Sequence, residues 1–334
     1  YSTAIGRITT ASGLYSTAMG YNTTAGDYST AMGDSSTASG PGSTAMGYNT
    51  TAIGTLSTAM GRSTEASGNY STAMGYDTTA SGSSSTAMGR STTASGSYST
   101  AMGYQSTASG NESTAMGSFT TASGWYSTAM GTTTTASGWY STAMGGNTTA
   151  SGSYSTATGR QTTASDYASL VIGRYNSSGS SETNANSPIY SNTAFVIGNG
   201  IDSSNRSDAF KIMYNGDATV SNDLTVSGDV VVSSDARLKS NIISLGSTLS
   251  RLLLIDGKSY EMKGKQKIGV LAQDIQEVFP ELVSEDDNKM LAVNYQGLVP
   301  VLINALKEQD AKMNEQQSEI DELKEIVQAL VSRE

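Results

Sequence analysis

A serine and a lysine five positions apart, Ser234 and Lys239, have the residue types and the spacing that covalent chemistry needs. In a Ser/Lys dyad a neutral amine takes the proton of the hydroxyl, and the alkoxide attacks a peptide carbonyl. The same spacing also fits a plain polar turn that opens a helix or a strand. The segment SSDARLKS, residues 233 to 240, is therefore a candidate catalytic site whose meaning depends on the surrounding sequence.

Composition limits the other kinds of chemistry. The chain contains no histidine and no cysteine, which removes His-based triads, thiolate nucleophiles, disulfides and the usual zinc ligands. We therefore expect no metal, no cofactor and no conventional hydrolase. The net charge of −10 argues against nucleic acid or an anionic membrane as a partner, and no apolar run is long enough to insert into a bilayer.

The sequence after the candidate dyad resembles a known family. The strings SSDARLKSNI, GVLAQDIQEVFPELV and LAVNYQGLVPVLINALKE, followed by a heptad helix, are similar to the endosialidase-type C-terminal intramolecular chaperone of phage tail spikes and fibres and of some membrane-bound transcription factors. The resemblance implies a domain that trimerises, helps a β-structured fibre to fold and then releases itself as a single-turnover serine endopeptidase. It implies Ser234 as nucleophile, Lys239 as general base and the Ser233–Ser234 peptide bond as the cleavage site.

The last residues carry a heptad pattern. Apolar residues at Leu306, Met313, Ile320 and Val327 are seven apart, with companion positions at Leu302, Gln309, Gln316, Leu323 and Leu330. Such spacing predicts a coiled coil in which the two glutamine layers set register and oligomeric state. A single amphipathic helix packed on its own domain is the alternative. Between residues 234 and 300 we expect a small α+β core, with a short helix from Ala272 to Phe279 and a strand from Leu291 to Tyr295.

The first half of the chain is an internal repeat. The string YSTAMG returns every 14 residues, for example at Tyr98, Tyr126 and Tyr140, and the unit that starts at Tyr15 has 13 residues. Each unit divides into two seven-residue halves that end near a glycine, as in YSTAMGT and TTTASGW. Ser, Thr and Gly are poor helix formers, and seven residues suffice only for a short strand and a turn. The pattern therefore predicts a parallel β-solenoid with one coil per unit.

Alternation along a strand divides each unit into two faces. In residues 127 to 130, Ser and Ala share one face while Thr and Met share the other. We expect Thr128 and Met130 to point inward with Thr135 and Ser137, the recurring methionines filling the core. The Ser and Ala face would then let several chains approach closely. Such an interior is thin and partly polar, so that association must add stability.

The repeat resembles the head of trimeric autotransporter adhesins, although Thr and Met stand where those heads usually carry Val and Ile. The resemblance implies a left-handed parallel β-roll that trimerises. The complete prediction is a mostly β homotrimer: β-roll repeats at 1–175, a β-rich neck at 176–233, an α+β chaperone domain at 234–300 and a trimeric coiled-coil helix at 301–334.

In the neck we expect a Ser/Asn/Gly loop at 176 to 187, after the roll is closed by Leu170, Val171 and Ile172. A hairpin around Asn215 and Gly216 follows. Further short strands are expected at 224 to 226 and 230 to 232, with the strands of three chains interleaved.

Turn positions of the repeat carry aromatic residues, among which the pairs Trp125/Tyr126 and Trp139/Tyr140 lie one coil apart. An aromatic ladder at a solvent edge is a candidate surface for stacking on sugar rings, so these four residues are the predicted ligand-binding site. The alternative is that they stack only on one another and stabilise the edge.

These features predict a trimeric fibre or adhesin shaft that carries its own folding domain, on a virion tail fibre or at an extracellular surface. Its receptor would be a cell-surface glycan or protein. Stacked threonines such as Thr132 to Thr135 allow an ice-binding solenoid as the alternative. A glycan-processing tail spike is the third possibility, but the repeats lack paired acids. The chain begins in mid-repeat, so we expect it to be part of something longer.

Overall fold

The structure, a computed structural model, describes residues 1–177, 184–285 and 289–332. Residues 178–183 of the predicted Ser/Asn/Gly loop lie outside the described residues. The chain divides into two units, Tyr1–Val226 and Ser227–Glu334.

The first unit is a parallel β-solenoid of about 12 coils, as the repeat predicts. Each coil contributes one strand of five residues and one of two. These strands are β1 Thr3–Arg7, β2 Thr10–Ala11, β3 Thr17–Tyr21, β4 Thr24–Ala25, β5 Thr30–Asp34, β6 Thr37–Ala38, β7 Thr44–Tyr48, β8 Thr51–Ala52, β9 Thr58–Arg62, β10 Glu65–Ala66, β11 Thr72–Tyr76, β12 Thr79–Ala80, β13 Thr86–Arg90, β14 Thr93–Ala94, β15 Thr100–Tyr104, β16 Thr107–Ala108, β17 Thr114–Ser118, β18 Thr121–Ala122, β19 Thr128–Thr132, β20 Thr135–Ala136, β21 Thr142–Gly146, β22 Thr149–Ala150, β23 Thr156–Arg160, β24 Thr163–Ala164 and β25 Leu170–Arg174.

The five-residue strands stack into one sheet, the wide sheet, and the two-residue strands into a second, the narrow sheet. Neighbouring coils are in register, so that identical residues pair: Ala129 with Ala143 and Met130 with Met144. The 13-residue coil keeps this register, because Thr17 pairs with Thr30 in the wide sheet. Its missing residue is therefore absorbed at a corner of the coil.

The corners of each coil depend on left-handed backbone conformations. In one coil Tyr126 has φ 60° and Thr133 has φ 54°, and the equivalent positions of the other coils behave alike. Gly131 has φ 122°, and a Cβ there would lie 2.0 Å from the carbonyl oxygen of Gly145 in the next coil. A glycine is therefore required at that position both by its dihedral angle and by the closeness of the next coil.

The interior of the solenoid consists of the Ser, Thr and Ala positions. Ser127, Ala129, Thr134 and Ala136 are completely buried, whereas Met130 and its equivalents are only partly buried on the outer face of the wide sheet. The prediction that Thr128, Met130, Thr135 and Ser137 point inward is therefore wrong. A coil of 14 residues with a two-residue strand on one side encloses so little space that only small side chains fit inside it.

The end of the solenoid also differs from prediction, because the roll does not close at Leu170–Ile172. Strand β26, Thr193–Asn199, adds to β25 in parallel, with Val171 paired to Val196. The narrow sheet instead ends at β24, where the Asn176 amide accepts from Thr163 N at 2.8 Å and donates to Thr163 O at 3.0 Å. This side chain takes the hydrogen-bonding place of a further strand. The larger residues Val171 and Val196 fill the interior beyond it.

The predicted hairpin follows as β27, Asp208–Met213, and β28, Ala218–Val220, which pair in antiparallel fashion around Gly216. The further strands expected at 224 to 226 and 230 to 232 do not form in the described chain. Their valines are largely exposed instead, Val231 by 88%. Short strands that pack only against other chains would have nothing to pack against in a single chain.

The second unit has two small antiparallel sheets and a long helix. The elements are a 3-10 helix at Ala236–Leu238, α1 Leu249–Leu252, β29 Lys258–Met262, β30 Lys265–Gly269, α2 Ala272–Val278, a 3-10 helix at Pro280–Leu282, β31 Val283–Glu285, β32 Leu291–Val293, a 3-10 helix at Tyr295–Gly297 and α3 Leu298–Val331. The short helix before Pro280 is therefore confirmed. The strand predicted to reach Tyr295 ends at Val293.

The core of the second unit forms around Ile275, Phe279 and Val301. Glu308 on α3 holds the start of α1: its carboxylate accepts from Ser247 Oγ at 2.6 Å and from the backbone N–H groups of Thr248 and Leu249. The bond from Ser247 and then that from Thr248 lower the pKa of Glu308 below its ordinary value. The α1 segment is thereby fixed to the first turns of α3.

Candidate functional site

The candidate self-cleavage site is a single tight turn in the second unit. Asp235 caps the 3-10 helix Ala236–Leu238 by accepting from Arg237 N at 2.8 Å, and the Lys239 N–H closes the turn on Ala236 O at 3.1 Å. One turn of 3-10 helix brings residues separated by a few positions to the same side. Ser234 and Lys239 flank this turn, so its geometry decides whether they meet.

The two predicted dyad residues do meet. Lys239 Nζ donates a hydrogen bond to Ser234 Oγ at 2.6 Å. This distance suits proton transfer between a hydroxyl and an amine once the amine is neutral. Ser233, Ser234 and Lys239 are all exposed in the single chain, so the peptide bond between the two serines is accessible.

The charged neighbours of the dyad neutralise one another. Arg237 Nη2 pairs with Asp235 Oδ2 at 2.7 Å. Hydrogen bonds from the Arg237 guanidinium and, next in size, from the Arg237 backbone N–H lower the pKa of Asp235. The side-chain hydrogen bond to Asp235 in turn raises the pKa of Arg237. Because its charge is compensated by Asp235, Arg237 is a weak means of keeping an adjacent lysine neutral. Burial of the amine is the other means, and the turn does not supply it within one chain.

The four predicted ligand-binding aromatics form two adjacent stacks. Trp125 and Trp139 lie with their ring centroids 5.5 Å apart and their planes 9° apart. Tyr126 stacks on Tyr140 at 4.6 Å, and Tyr140 on Tyr154 at 5.0 Å. The tyrosines share one left-handed corner conformation, so their side chains leave each coil in the same direction. The rings thus cover one another's faces and present their edges to solvent.

Only the end rings of such a stack offer a whole face, here Trp125 and Trp139. The coil after Trp139 carries Ser153 at the equivalent position, and a cleft opens there between Trp139, Tyr154, Tyr167 and Asn186. The sequence predicted the aromatic ladder but not the cleft at its end. The signal available in the sequence was the change from Trp to Ser one coil later.

Threonine arrays run along the solenoid, but they do not form the flat Thr-x-Thr face of the ice-binding alternative. In the wide sheet the outward threonine file that contains Thr128 lies beside the methionine file that contains Met130. The outer face is therefore half apolar. The sequence predicted that these methionines fill the interior, and the structure places them on the outer face instead. They are Met19, Met32, Met46, Met60, Met74, Met88, Met102, Met116, Met130 and Met144.

Comparison with known families gives two matches. The model described as the YadA head domain repeat (2 copies) matches residues 1–23, 25–50, 52–78 and, in overlapping copies, 80–176, which together are just over half of the chain. The model described as Chaperone of endosialidase matches residues 234–284 and begins at the candidate nucleophile. No curated protein matches the chain. None of the helices in the described part of the chain has the length and apolar character needed to span a bilayer.

Proposed function

Since the chain belongs to the family defined by the YadA head domain repeat and carries a Chaperone of endosialidase domain, we propose that it is the shaft of a homotrimeric fibre or adhesin that carries its own folding domain. The shaft serves attachment at the surface of a cell or of a virion. After assembly the folding domain releases itself by cleavage between Ser233 and Ser234.

The observation that carries the trimer is the outer face of the wide sheet. Its methionines and threonines repeat in register in nearly every coil, and each methionine is only partly buried within the chain. Within the repeating coils the interior consists of Ala, Ser and Thr side chains, which provide little hydrophobic stabilisation. Two further copies in the same register would cover this face along its whole length, because nearly every coil presents the same two residues.

The second unit supports the same assembly. Only Val301 and Ala305 of α3 are buried, and the heptad residues beyond them are exposed, Leu306 by 69%. The alternative of an amphipathic helix packed on its own domain therefore explains the first turns of α3 and not the rest. A continuous apolar stripe at seven-residue spacing is what a parallel coiled coil buries.

The proposed cleavage uses the dyad as follows. Lys239 takes the proton of Ser234 Oγ, which attacks the carbonyl carbon of Ser233. The peptide C–N bond breaks, the nitrogen of Ser234 receives the proton, and an ester joins Ser233 to the Ser234 oxygen. Water then hydrolyses the ester, leaving a carboxylate on Ser233 and a free amine on Ser234. Because the amine of Lys239 is exposed in one chain, we propose that trimerisation buries and neutralises it, so that cleavage follows folding.

Met102→Glu tests the shaft interface in the full chain. In a parallel trimer the three copies of residue 102 lie at the same height, so that three carboxylates meet in an apolar interface. We expect a loss of about 3 kcal/mol of stability for each copy, measured as a lower midpoint of thermal unfolding of the assembled protein.

The matched control is Ser109→Glu, which adds the same charge to the same coil at an exposed corner that follows the narrow sheet. We expect this variant to melt close to the unaltered protein. Equal melting temperatures for the two variants would mean that the methionine face is not an interface, and the proposal would lose its main support.

A further inference from the structure

The tryptophan ladder ends in a cleft that the proposed shaft does not use. Trp139 stacks on Trp125 through one face, and the next coil has Ser153 where a third ring would lie. The cleft has a volume of about 480 Å³, within the range of sites that hold small ligands. Trp139 is 56% exposed, so its second face is accessible from solvent.

The cleft is built from fixed parts. Ser153 is almost completely buried at its base, where its N–H donates to Ala185 O at 2.7 Å and its Oγ donates to Asn186 Oδ1 at 3.0 Å. The backbone of Tyr167 donates to Asn184 O at 2.9 Å. The segment 184–186 is thereby attached to two successive coils. Its Asn186 lines the cleft together with the indole ring, and the site has a defined shape before any ligand arrives.

The lining selects a neutral, flat and polar-edged ligand. It contains no charged side chain, and it combines an indole face with the phenols of Tyr154 and Tyr167 and the amide of Asn186. A pyranose ring has an apolar C–H face that packs on an indole and equatorial hydroxyls that bond to amides and phenols. An aromatic side chain of a partner protein would use the indole alone and leave those polar groups unpaired.

We infer that this cleft binds one neutral hexopyranose of a surface glycan, with the sugar as the third ring of the ladder. The inference names the ligand class for the attachment role proposed above and rests on that role. It requires neither the dyad nor the cleavage step. It also narrows the four-residue prediction: Trp139 is the platform, Trp125 supports it from behind, and Tyr126 and Tyr140 belong to the neighbouring stack.

The test is a glycan array with full-length protein, together with Trp139→Ala and Trp125→Phe variants. We expect the unaltered protein to bind glycans that end in neutral hexoses. Trp139→Ala should weaken this binding about tenfold or more, because the stacking face is lost. Trp125→Phe keeps an aromatic ring behind Trp139 and serves as the fluorescence reporter. Since the chain has only two tryptophans, this variant leaves Trp139 as the single indole. Its fluorescence should then change saturably with methyl glycosides of glucose, galactose and mannose.

Several results would overturn the inference: equal array signals for Trp139→Ala and the unaltered protein, binding only of charged sugars or of protein ligands, or no response to any methyl hexoside. Light scattering on the same samples separates this failure from failure of the shaft proposal. A trimer that does not bind hexoses contradicts the inference about the cleft alone, whereas a monomer contradicts the proposal of a trimeric shaft.

Discussion

Ser234→Ala is expected to stop self-cleavage completely, so that denaturing gels show the intact 34.5 kDa chain where the unaltered protein shows two fragments divided after Ser233. The alanine has no oxygen to receive the acyl group, and no second nucleophile lies within the turn Ala236–Leu238. Loss of a covalent nucleophile lowers such rates on the order of a thousandfold or more. The assembled protein should keep its mass in solution, because the dyad acts after folding.

The neighbouring serine provides a matched control. Ser233→Ala removes a hydroxyl one residue away, leaves the hydrogen bond between Lys239 Nζ and Ser234 Oγ intact, and should be cleaved normally. Lys239→Arg should remain uncut, because a guanidinium keeps its charge and cannot serve as a base. Efficient cleavage of Ser234→Ala, or normal cleavage of Lys239→Arg, would exclude the dyad.

Ile320→Glu combined with Val327→Glu is expected to prevent assembly of the whole protein. Both residues lie on the exposed heptad stripe of α3, and a trimer would place six carboxylates in two core layers one heptad apart. Parallel β-structure with non-local pairing forms slowly and aggregates while it does so, and three chains held together at one end shorten that stage. We therefore expect aggregated or unfolded repeats, and no cleavage, in sedimentation and gel assays.

Ala311→Glu combined with Ser318→Glu is the control for the helix. It adds the same number of carboxylates to α3, seven residues apart, at exposed positions off the heptad stripe. This variant should assemble and cleave as the unaltered chain does. If both double variants assemble equally well, the helix does not associate through its heptad stripe, and the folding role of the second unit must lie elsewhere.

The fold of the repeats was largely predictable, because a 14-residue period with two glycine corners admits few arrangements. Which face of each strand points into the solenoid could not be predicted. Alternation shows that Ala129 and Met130 lie on opposite sides of a strand and says nothing about which side is interior. That depends on the space inside a coil, which the two-residue strand β20 makes too small for methionine. Size, rather than hydrophobicity, decides what is buried here.

The candidate cleavage site was also predictable only in part. The chain order of Ser234 and Lys239 indicated the chemistry, and the turn at Ala236–Leu238 places their side chains in contact. The ion pair between Asp235 and Arg237 was not predicted, because the order of residues in the motif does not show which charges pair. The cleft at Trp139 was predictable in part, because Tyr167 stands two periods of 14 residues after Trp139. Asn186 reaches the cleft through its contact with Ser153, 33 residues away in the chain, and local periodicity carries no signal for that.

The most direct test of the trimer is the mass in solution of the Ser234→Ala protein, which keeps both units on one chain. Light scattering should give three times the 34.5 kDa of a single chain at all concentrations that are practical to measure. A mass of 34.5 kDa, from a protein whose circular dichroism shows the full β-structure of the repeats, would contradict the account.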